Sequence, residues 1–416
     1  IDTLMTSPKV NKYNCLAKVN ITSKKLMYII SSACVLIGII FFLLPSRDLQ
    51  NTGDWCPNIS WEDNFNGPSL NLFKWSYQNG DGCDVGLCGW GNNELEFYTE
   101  DNLQIANGTV IMEARHNLEG SSHSNKANFH EYTSSKILTR DKVSFGPIGR
   151  FEARIKLPRG QGIWPAFWML PADNLYGGWP NSGEIDIMEN IGKEGPNTVH
   201  GTIHYGLDWP KDQYNEEAIF LPPKQWGDFS SSFHVFAVER EVGLIRWFVD
   251  DIMYSVKSKS DVVPYLWPFD EKFYFILNLA VGGGWPGNPD NTTTFPQQMI
   301  VDYVRVYNGT FPRIEGKNQV NSLDTDVIYE IVDGHQNSFE KKRDTGDNFY
   351  KWVVPDGATI KSGQGTTRML VNFGESSGIV SVELHKHDEG GDHASFCNSQ
   401  TKKKIGLRVK VVDNTL

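Results

Sequence analysis

The chain has 416 residues, 39% of them hydrophobic, and a formal net charge of −11 at pH 7. This length and hydrophobic content suffice for more than one packed domain. The negative charge argues against nucleic acid as a partner. Twelve of the thirteen tryptophans lie between Trp55 and Trp285. Aromatic faces stack on sugars, although burial in a large β core is their commoner role.

An apolar segment without charge precedes most of the chain, at residues 26–44. Its nineteen residues are enough to span a bilayer. Five lysines lie in residues 1–25, whereas only Arg47 is basic shortly after the segment. The positive-inside rule therefore predicts a cytoplasmic tail, a transmembrane signal-anchor and an outward-facing remainder, which describes a single-pass type II membrane protein. A cleaved signal peptide, with its apolar core of about 7 to 15 residues, is the alternative and would give a secreted protein.

Sequons and cysteines fit this topology. Asn-X-Ser/Thr sequons follow the segment and predict a glycoprotein; they begin at Asn58, Asn107, Asn291 and Asn308. Four of the six cysteines fall on the oxidising side. We expect Cys83 and Cys88 to close a short disulfide loop, and a pair between Cys56 and Cys397 would link two domains.

Alternating apolar and polar residues predict strands through the middle of the chain. No long amphipathic helical pattern interrupts them. Strands this numerous, separated by Gly, Pro and Asn turns, predict two packed sheets and an all-β sandwich. The clearest of them are Gly149 to Leu157, Thr198 to Tyr205, Phe233 to Arg240, Leu244 to Val249 and Phe273 to Leu279.

The run from Gly183 to Asn190 places three carboxylates in a strand-like apolar sequence. Side chains alternate faces along a strand, so Glu184 and Asp186 share one face. Glu189, five residues after Glu184, would point the other way in a regular strand. We predict a bulge around Met188 that returns this glutamate to the acidic face.

Three acids on one face repel one another and are costly to desolvate, so a chemical role explains them better than a structural one. Retaining glycoside hydrolysis needs an ionised carboxylate as nucleophile and a protonated carboxyl as acid, then base, about 5 Å apart. A third carboxylate can hold a proton and keep the two roles distinct. Five residues of flat strand span roughly 16 Å, so we expect the strand to curve. An ordinary strand with an acidic outer face is the alternative.

This run resembles the catalytic signature of glycoside hydrolase family 16, in the form with the extra residue typical of laminarinase-like members. Further segments resemble family strands in the expected order, and with them the resemblance covers roughly Trp55 to Asn308. They are Gly149 to Pro158, Gly162 to Pro171, His200 to Tyr205 and Val301 to Tyr307. One departure is Arg240, which stands where the family usually has tryptophan and leaves the local packing open.

The resemblance implies a β-jelly-roll with an open cleft. It also implies that Glu184 is the nucleophile, Glu189 the general acid and base, and Asp186 the assisting carboxylate, with no cofactor required for catalysis. Family relatives that bind β-glucan without cutting it lack the catalytic glutamates. The presence of all three acids therefore favours an enzyme.

Several residues are candidates for substrate binding. Trp164 and Trp168 share a strand face, and a stacking platform beside the acids is one role for them; Trp168 is equally compatible with the core. Trp285 lies in a glycine-rich loop, where an aromatic side chain favours ligand contact. Asn92 and Asn93 resemble a cleft loop that hydrogen-bonds sugar hydroxyls, and a simple turn is the alternative.

The spacing of His200 and His204 on a helix would suggest a metal site. Glycine, threonine and isoleucine between them indicate a strand instead. We expect His204 on the leaving-group side of the cleft, with a hydrogen-bonded structural histidine as the alternative. The resemblance also implies a structural calcium on the convex side, with Asp302 as a ligand, although such oxygen-rich sites need several further ligands.

The composition changes after Asn308. Residues 309–325 form a polar, linker-like stretch, and residues 326–416 contain a single tryptophan. Segments such as Tyr350 to Ala358 and Val371 to Val380 resemble a PKD-like repeat with an immunoglobulin-like sandwich. A carbohydrate-binding accessory domain and a spacer are both compatible with it; the lack of an evident aromatic platform favours the spacer.

We therefore expect a membrane-anchored, monomeric retaining endo-glycosidase. Its substrate would be a β-glucan such as laminarin, cleaved at internal β-1,3 or mixed β-1,3/1,4 linkages through a covalent glycosyl-enzyme. Because relatives also cut marine galactans, the linkage stays open. A non-catalytic β-glucan recognition protein and a transglycosylase are the alternatives.

Overall fold

The computed structural model describes residues 58–117, 130–332, 350–385 and 402–412, and nearly all of their regular structure is β-strand. The predicted anchor at 26–44 and the proposed pair of Cys56 with Cys397 lie outside these residues. Within the described ranges, no helix is both long enough and apolar enough to cross a membrane.

The larger domain contains strands β1 to β17. Their bounds are β1 Ile59–Asp63, β2 Ser76–Tyr77, β3 Glu96–Tyr98, β4 Leu103–Ala106, β5 Thr109–His116, β6 Tyr132–Ser134, β7 Lys136–Leu138, β8 Gly149–Lys156, β9 Ile163–Pro171, β10 Glu184–Glu189, β11 Thr198–Gly206, β12 Asp212–Phe220, β13 His234–Glu241, β14 Leu244–Val249, β15 Ile252–Ser258, β16 Phe273–Val281 and β17 Gln297–Tyr307. The five predicted strands are confirmed as β8, β11, β13, β14 and β16, each within two residues at either end.

Helical structure in the described residues is short. Pro223–Trp226 is a single α-helical turn. The 3-10 turns are Cys83–Val85, Cys88–Gly91, Glu100–Asn102, Gly192–Glu194 and Lys259–Val262. The predicted disulfide between Cys83 and Cys88 is present and closes the loop between the first two turns.

Two sheets form the larger domain, as predicted. A seven-stranded sheet has the order β12-β11-β10-β9-β16-β7-β2, and strands β8, β13, β14, β15 and β17 belong to the larger sheet. We call the face of the seven-stranded sheet that carries Glu184, Asp186 and Glu189 the acidic face. The opposite face is apolar: Ile185 and Met188 are fully buried in one core cluster with residues of the larger sheet.

The C-terminal domain contains strands β18 to β25. Their bounds are β18 Arg313–Gly316, β19 Gln319–Asn321, β20 Val327–Val332, β21 Tyr350–Val353, β22 Thr359–Ser362, β23 Arg368–Asn372, β24 Gly378–His385 and β25 Lys402–Val412. Strands β18, β20, β23 and β22 make one sheet, whereas β21, β24 and β25 continue the larger sheet of the first domain through a short parallel pairing of β25 with β15.

The expectation of a linker at 309–325 is wrong for part of that stretch. Strand β18 pairs with β20, and β19 pairs with β25, so both belong to the C-terminal domain. The physical reason is that Ile314 and Val320 are buried in its core although most of their neighbours in the sequence are polar.

The two domains share a hydrophobic core. Ala237, Phe248 and Met253 of the first domain lie in one buried cluster with C-terminal residues such as Ile405 and Leu407. Burial of apolar area is the main favourable term in such contacts. The C-terminal domain is therefore packed directly against the first domain.

Ion pairs join the domains at the edge of the acid-bearing sheet. Glu217 lies on β12, the edge strand, and its Oε1 is 2.6 Å from Lys410 Nζ and 3.3 Å from Arg408 Nη1. Arg408 also donates a hydrogen bond to the carbonyl of Ala218. The C-terminal domain thus braces this edge strand.

Arg240 occupies its unusual position as a fully buried side chain. Its Nη2 donates to the carbonyls of Phe269 and Glu271, both at 2.7 Å, and its guanidinium lies 4.8 Å from the ring centroid of Phe273. Burial lowers the pKa of this arginine to about 9. The planar, weakly hydrated group therefore fills an aromatic-sized site while two carbonyls compensate its charge.

The shared core yields a stability prediction. Phe248 is 3% exposed, and Phe248→Ala should lower the free energy of unfolding by about 3–5 kcal/mol in a denaturant titration. The matched control is Phe73→Ala, because Phe73 is 94% exposed and its loss should change stability by at most about 0.5 kcal/mol. Equal stability of the two variants would contradict the shared core.

Candidate active site

Strand β10 contains the predicted bulge. Its pairing with β11 sets Glu184 opposite His204, Asp186 opposite Thr202 and Glu189 opposite His200, so the register shifts by one residue between Asp186 and Glu189. The pairing with β9 shifts in the same interval. The extra residue returns Glu189 to the face of the other two acids, as predicted.

A tryptophan from the larger sheet supports the bulge. The indole Nε1 of Trp247 donates a 2.8 Å hydrogen bond to the carbonyl of Asp186, within the segment where the register shifts. Gly201 leaves room for this contact, because a Cβ at that position would lie 2.3 Å from Trp247 Cδ1. A buried side chain thus supplies a hydrogen-bond donor to a backbone carbonyl in the segment where the bulge disrupts strand pairing.

Glu184 lies in a largely buried environment with charged neighbours. Trp179 Nε1 donates to its Oε2 at 2.9 Å, and His204 Nε2 is 3.8 Å from its Oε1. Burial raises the pKa of Glu184 to about 7, and the charge of Asp186 adds to the rise. The charge of His204 and the hydrogen bond from Trp179 oppose it. Glu184 therefore ionises near neutral pH.

Glu189 keeps its proton more strongly. Burial raises its pKa well above the ordinary value, and the charges of Asp186 and Glu184 add to this. A 3.0 Å hydrogen bond from Trp164 Nε1 to Oε1 opposes the rise only in part. The two glutamates thus have different environments, which favours a protonated Glu189 beside an ionised Glu184.

Asp186 lies beside His204. The distance between Asp186 Oδ2 and His204 Nε2 is 3.4 Å. Burial disfavours the charged imidazole, but the contact with Asp186 and the charge of Glu184 outweigh it and raise the pKa of His204 to about 10. Burial also raises the pKa of Asp186. The imidazolium therefore compensates part of the negative charge on the acidic face.

Glu184, Asp186 and His204 are also the one group of three potential metal ligands that the described residues bring together, with ligand atoms within 4.8 Å of one another. A metal ligand must be a neutral imidazole. Because Asp186 and Glu184 favour the charged imidazolium of His204, the group suits a proton-holding network better than a metal.

His200 is held between two carboxylates. Its Nδ1 lies 2.6 Å from Glu216 Oε1 and its Nε2 lies 2.9 Å from Glu194 Oε2. Despite its burial, these contacts raise the pKa of His200. Its ring also meets Trp285 edge-on, with centroids 4.9 Å apart. His200 is therefore a hydrogen-bonded histidine on the acidic face, held by two carboxylates beside Trp285.

The predicted tryptophans lie around the acids. Trp285 meets Trp164 edge-on at 5.5 Å, so the glycine-rich loop reaches the group that contacts Glu189. Trp168 lies opposite Asp186 on β9, and its Nε1 donates to Asn278 Oδ1 at 2.7 Å. All three side chains are half-buried. Trp168 thus lies on the acidic face and not in the main core.

Asn92 is exposed, and its Nδ2 donates to Glu94 Oε1 at 2.9 Å. Its carbonyl accepts a 2.8 Å hydrogen bond from the amide of Gly284. Through this hydrogen bond Asn92 stabilises the position of the glycine-rich loop that carries Trp285. Asn93 has a φ of 60°, which fits the alternative of a simple turn.

The fit of a calcium ion at Asp302 is poor. Its Oδ2 lies 2.5 Å from Arg154 Nη1, and the side chain is half-exposed. No group of three acidic, histidine or cysteine ligands that includes Asp302 occurs in the described residues. A guanidinium already neutralises the carboxylate that the resemblance assigned to the ion.

Three contributors to the site were missed from the sequence. Trp179 contacts Glu184, Trp247 supports the bulge, and Lys136 lies with its Nζ 4.2 Å from the ring centroid of Trp90 and 5.3 Å from that of Trp168. Trp179 follows two glycines and precedes proline directly before the acidic run. Like Trp285, it is an aromatic residue in a glycine-containing loop, a pattern that favours ligand contact.

Comparison with known proteins identifies the families of both domains. Residues 92–305 match the family described as "Glycosyl hydrolases family 16", and residues 312–387 match a "PKD-like domain". These matches confirm the resemblance of both parts of the chain.

Relatives cover the first domain. Over 267 residues the chain is 41% identical to a beta-glucanase of Rhodothermus marinus, covering 60% of this chain and 84% of that protein. Over 261 residues it is 41% identical to glucan endo-1,3-beta-glucosidase A1 of Niallia circulans, but it spans only 38% of that longer protein. The solved endo-beta-1,3-glucanase of Pyrococcus furiosus superposes with a TM-score of 0.57 at 46% identity, covering 61% of this chain and 95% of that one. The chain therefore belongs to glycosyl hydrolase family 16.

Proposed function

We propose that the chain hydrolyses internal β-1,3 linkages of glucans such as laminarin, including mixed β-1,3/1,4-glucans, with retention of anomeric configuration. The observation that carries the proposal is the bulge in β10, which brings two glutamates of different acidity onto one face. The names of the compared proteins, a beta-glucanase and two enzymes acting on 1,3-β-glucan, support the substrate class.

In the first step the ionised Glu184 attacks the anomeric carbon while Glu189 donates its proton to the departing glycosidic oxygen. The products are a glycosyl ester on Glu184 and a released sugar hydroxyl. Glu189, now ionised, then removes a proton from water, whose oxygen attacks the same carbon and releases Glu184. Two inversions give net retention, and the reaction needs no cofactor.

Asp186 and His204 keep the role of Glu184 as nucleophile distinct from that of Glu189 as acid and base. Once Glu184 is esterified its charge is lost, and the pKa of Glu189 falls because one repelling neighbour is gone. Glu189 can then act as a base. Trp164, Trp168 and Trp285 offer aromatic surface for the sugar rings around this centre.

We also propose that the enzyme acts outside the cell, held by the apolar segment at 26–44 as a type II anchor, with secretion after cleavage as the alternative. The four sequon asparagines are exposed, as glycosylation requires. Fractionation of cells expressing the full chain, followed by glycosidase treatment, tests both points; a soluble unglycosylated protein in the cytosol would contradict them.

Removal of the nucleophile should stop turnover. Glu184→Gln should reduce the release of new reducing ends from laminarin roughly 10³-fold or more without loss of the folded state. The control is Glu330→Gln, an exposed glutamate of the C-terminal domain, which should retain full activity. Unchanged activity of Glu184→Gln would contradict the assignment.

The same assay on the wild-type protein separates the alternatives. A pure glucan-binding protein would deplete laminarin in a pull-down without releasing reducing ends. A transglycosylase would produce chains longer than the starting oligosaccharides. A panel of laminarin, mixed β-1,3/1,4-glucan and galactans then defines the linkage; cleavage of galactans alone would contradict the substrate class.

Loss of the indole donors of Trp179 and Trp164 should shift different limbs of the pH profile of kcat/KM. Trp179→Phe removes a donor that favours ionised Glu184, so the pKa of Glu184 should rise and the acidic limb should move to higher pH by about one unit. Trp164→Phe removes the donor to Glu189, so the basic limb should move to higher pH instead. If both variants moved the same limb, the assignment of roles to the two glutamates would be wrong.

A further inference from the structure

A pocket of about 210 Å³ lies next to the acidic strand. Its apolar wall is formed by Leu170, Pro171 and Ala172 at the end of β9, and Tyr274 of β16 and Trp179 also line it. Pockets for drug-sized ligands occupy roughly 300–1,000 Å³, so this one has the size for a single sugar ring.

The pocket adjoins the reacting centre. Trp179 lines it and also donates its indole N–H to Glu184, while Gly183 of the lining directly precedes Glu184. Leu170 follows Trp168 by two residues on β9 and therefore lies on the same face. A sugar unit bound over Trp168 and Glu184 would have the pocket at its side.

Polar groups for a ligand lie in the same pocket. Arg140, Asn174 and Tyr274 line it, and Arg140 also forms a loose ion pair with Asp141, with its Nε 4.0 Å from the Asp141 Oδ2. Aromatic faces beside polar side chains are the usual combination for binding a sugar, which has apolar faces and hydroxyl edges. The mechanism of hydrolysis uses none of these three side chains.

We propose that this pocket receives a single-sugar branch carried by the glucan unit that lies beside Glu184. A 1,3-linked chain leaves the primary hydroxyl at C6 free, and a branch on this flexible arm reaches sideways from the backbone. The inference rests on the proposed glucanase function and specifies its substrate: the enzyme cleaves a 1,3-linked chain at a branched unit. The hydrogen bond from Trp179 to Glu184 couples the occupied pocket to the nucleophile.

The test compares two defined substrates, a linear β-1,3-gluco-oligosaccharide and the same oligosaccharide with one β-1,6-linked glucosyl branch. Ala172 is exposed and lines the pocket, so Ala172→Phe fills it without disturbing the core. This variant should lose about tenfold or more in kcat/KM on the branched substrate and keep its value on the linear one. Asn174→Leu, also exposed, should show a smaller loss with the same selectivity.

Asp173→Phe is the matched control, because this exposed neighbour does not line the pocket; it should leave both substrates unaffected. Equal losses on both substrates in Ala172→Phe, or no loss on either, would overturn the proposal. So would a wild-type enzyme that cleaves the linear but not the branched oligosaccharide.

Binding distinguishes failure of the pocket from failure of the proposed hydrolysis. Calorimetric titration of Glu184→Gln with both oligosaccharides should show tighter binding of the branched one, and Ala172→Phe in that background should remove the difference. Equal affinities would overturn the pocket proposal whether or not the wild type hydrolyses the linear substrate.

Discussion

The hydrogen bond from the Trp247 indole to the Asp186 carbonyl is the contact on which the active site depends. A bulge disturbs the ladder of β10, and a buried backbone group without a partner is costly. Trp247, on the opposite sheet, donates a hydrogen bond to the Asp186 carbonyl through the space that Gly201 leaves open. In a regular strand without the bulge, Glu189 would point into the core.

Desolvation and mutual repulsion then set which of the acids are ionised. Burial raises the pKa of all three carboxyl groups, and their mutual repulsion makes simultaneous ionisation unfavourable. One indole donor faces each glutamate, and the His204 imidazolium compensates charge near Glu184 and Asp186. The repulsion among the acids destabilises the folded state at the site. The large core, and the C-terminal domain packed against the larger sheet, stabilise it elsewhere.

The sequence predicted what depends on local periodicity. The phase of Glu189 against Glu184 predicted the bulge, and alternation predicted the strands, because both follow from the twofold repeat of a strand. Contacts between distant segments were not accessible in this way. The hydrogen bond from Trp247 to Asp186, the shared core around Phe248 and the pairing of Asp302 with Arg154 all depend on tertiary placement. Ile314 and Val320 are too sparse in a mostly polar stretch to indicate strands.

The central claim is that the bulge sets a nucleophile and an acid on one face of one strand, as a double-displacement mechanism requires. The most direct measurement is proton NMR of the reducing-end anomer during the first seconds of laminari-oligosaccharide cleavage, before mutarotation. The account predicts that the β-anomer appears first and the α-anomer grows in later. Initial formation of the α-anomer would mean direct attack by water and would contradict the account.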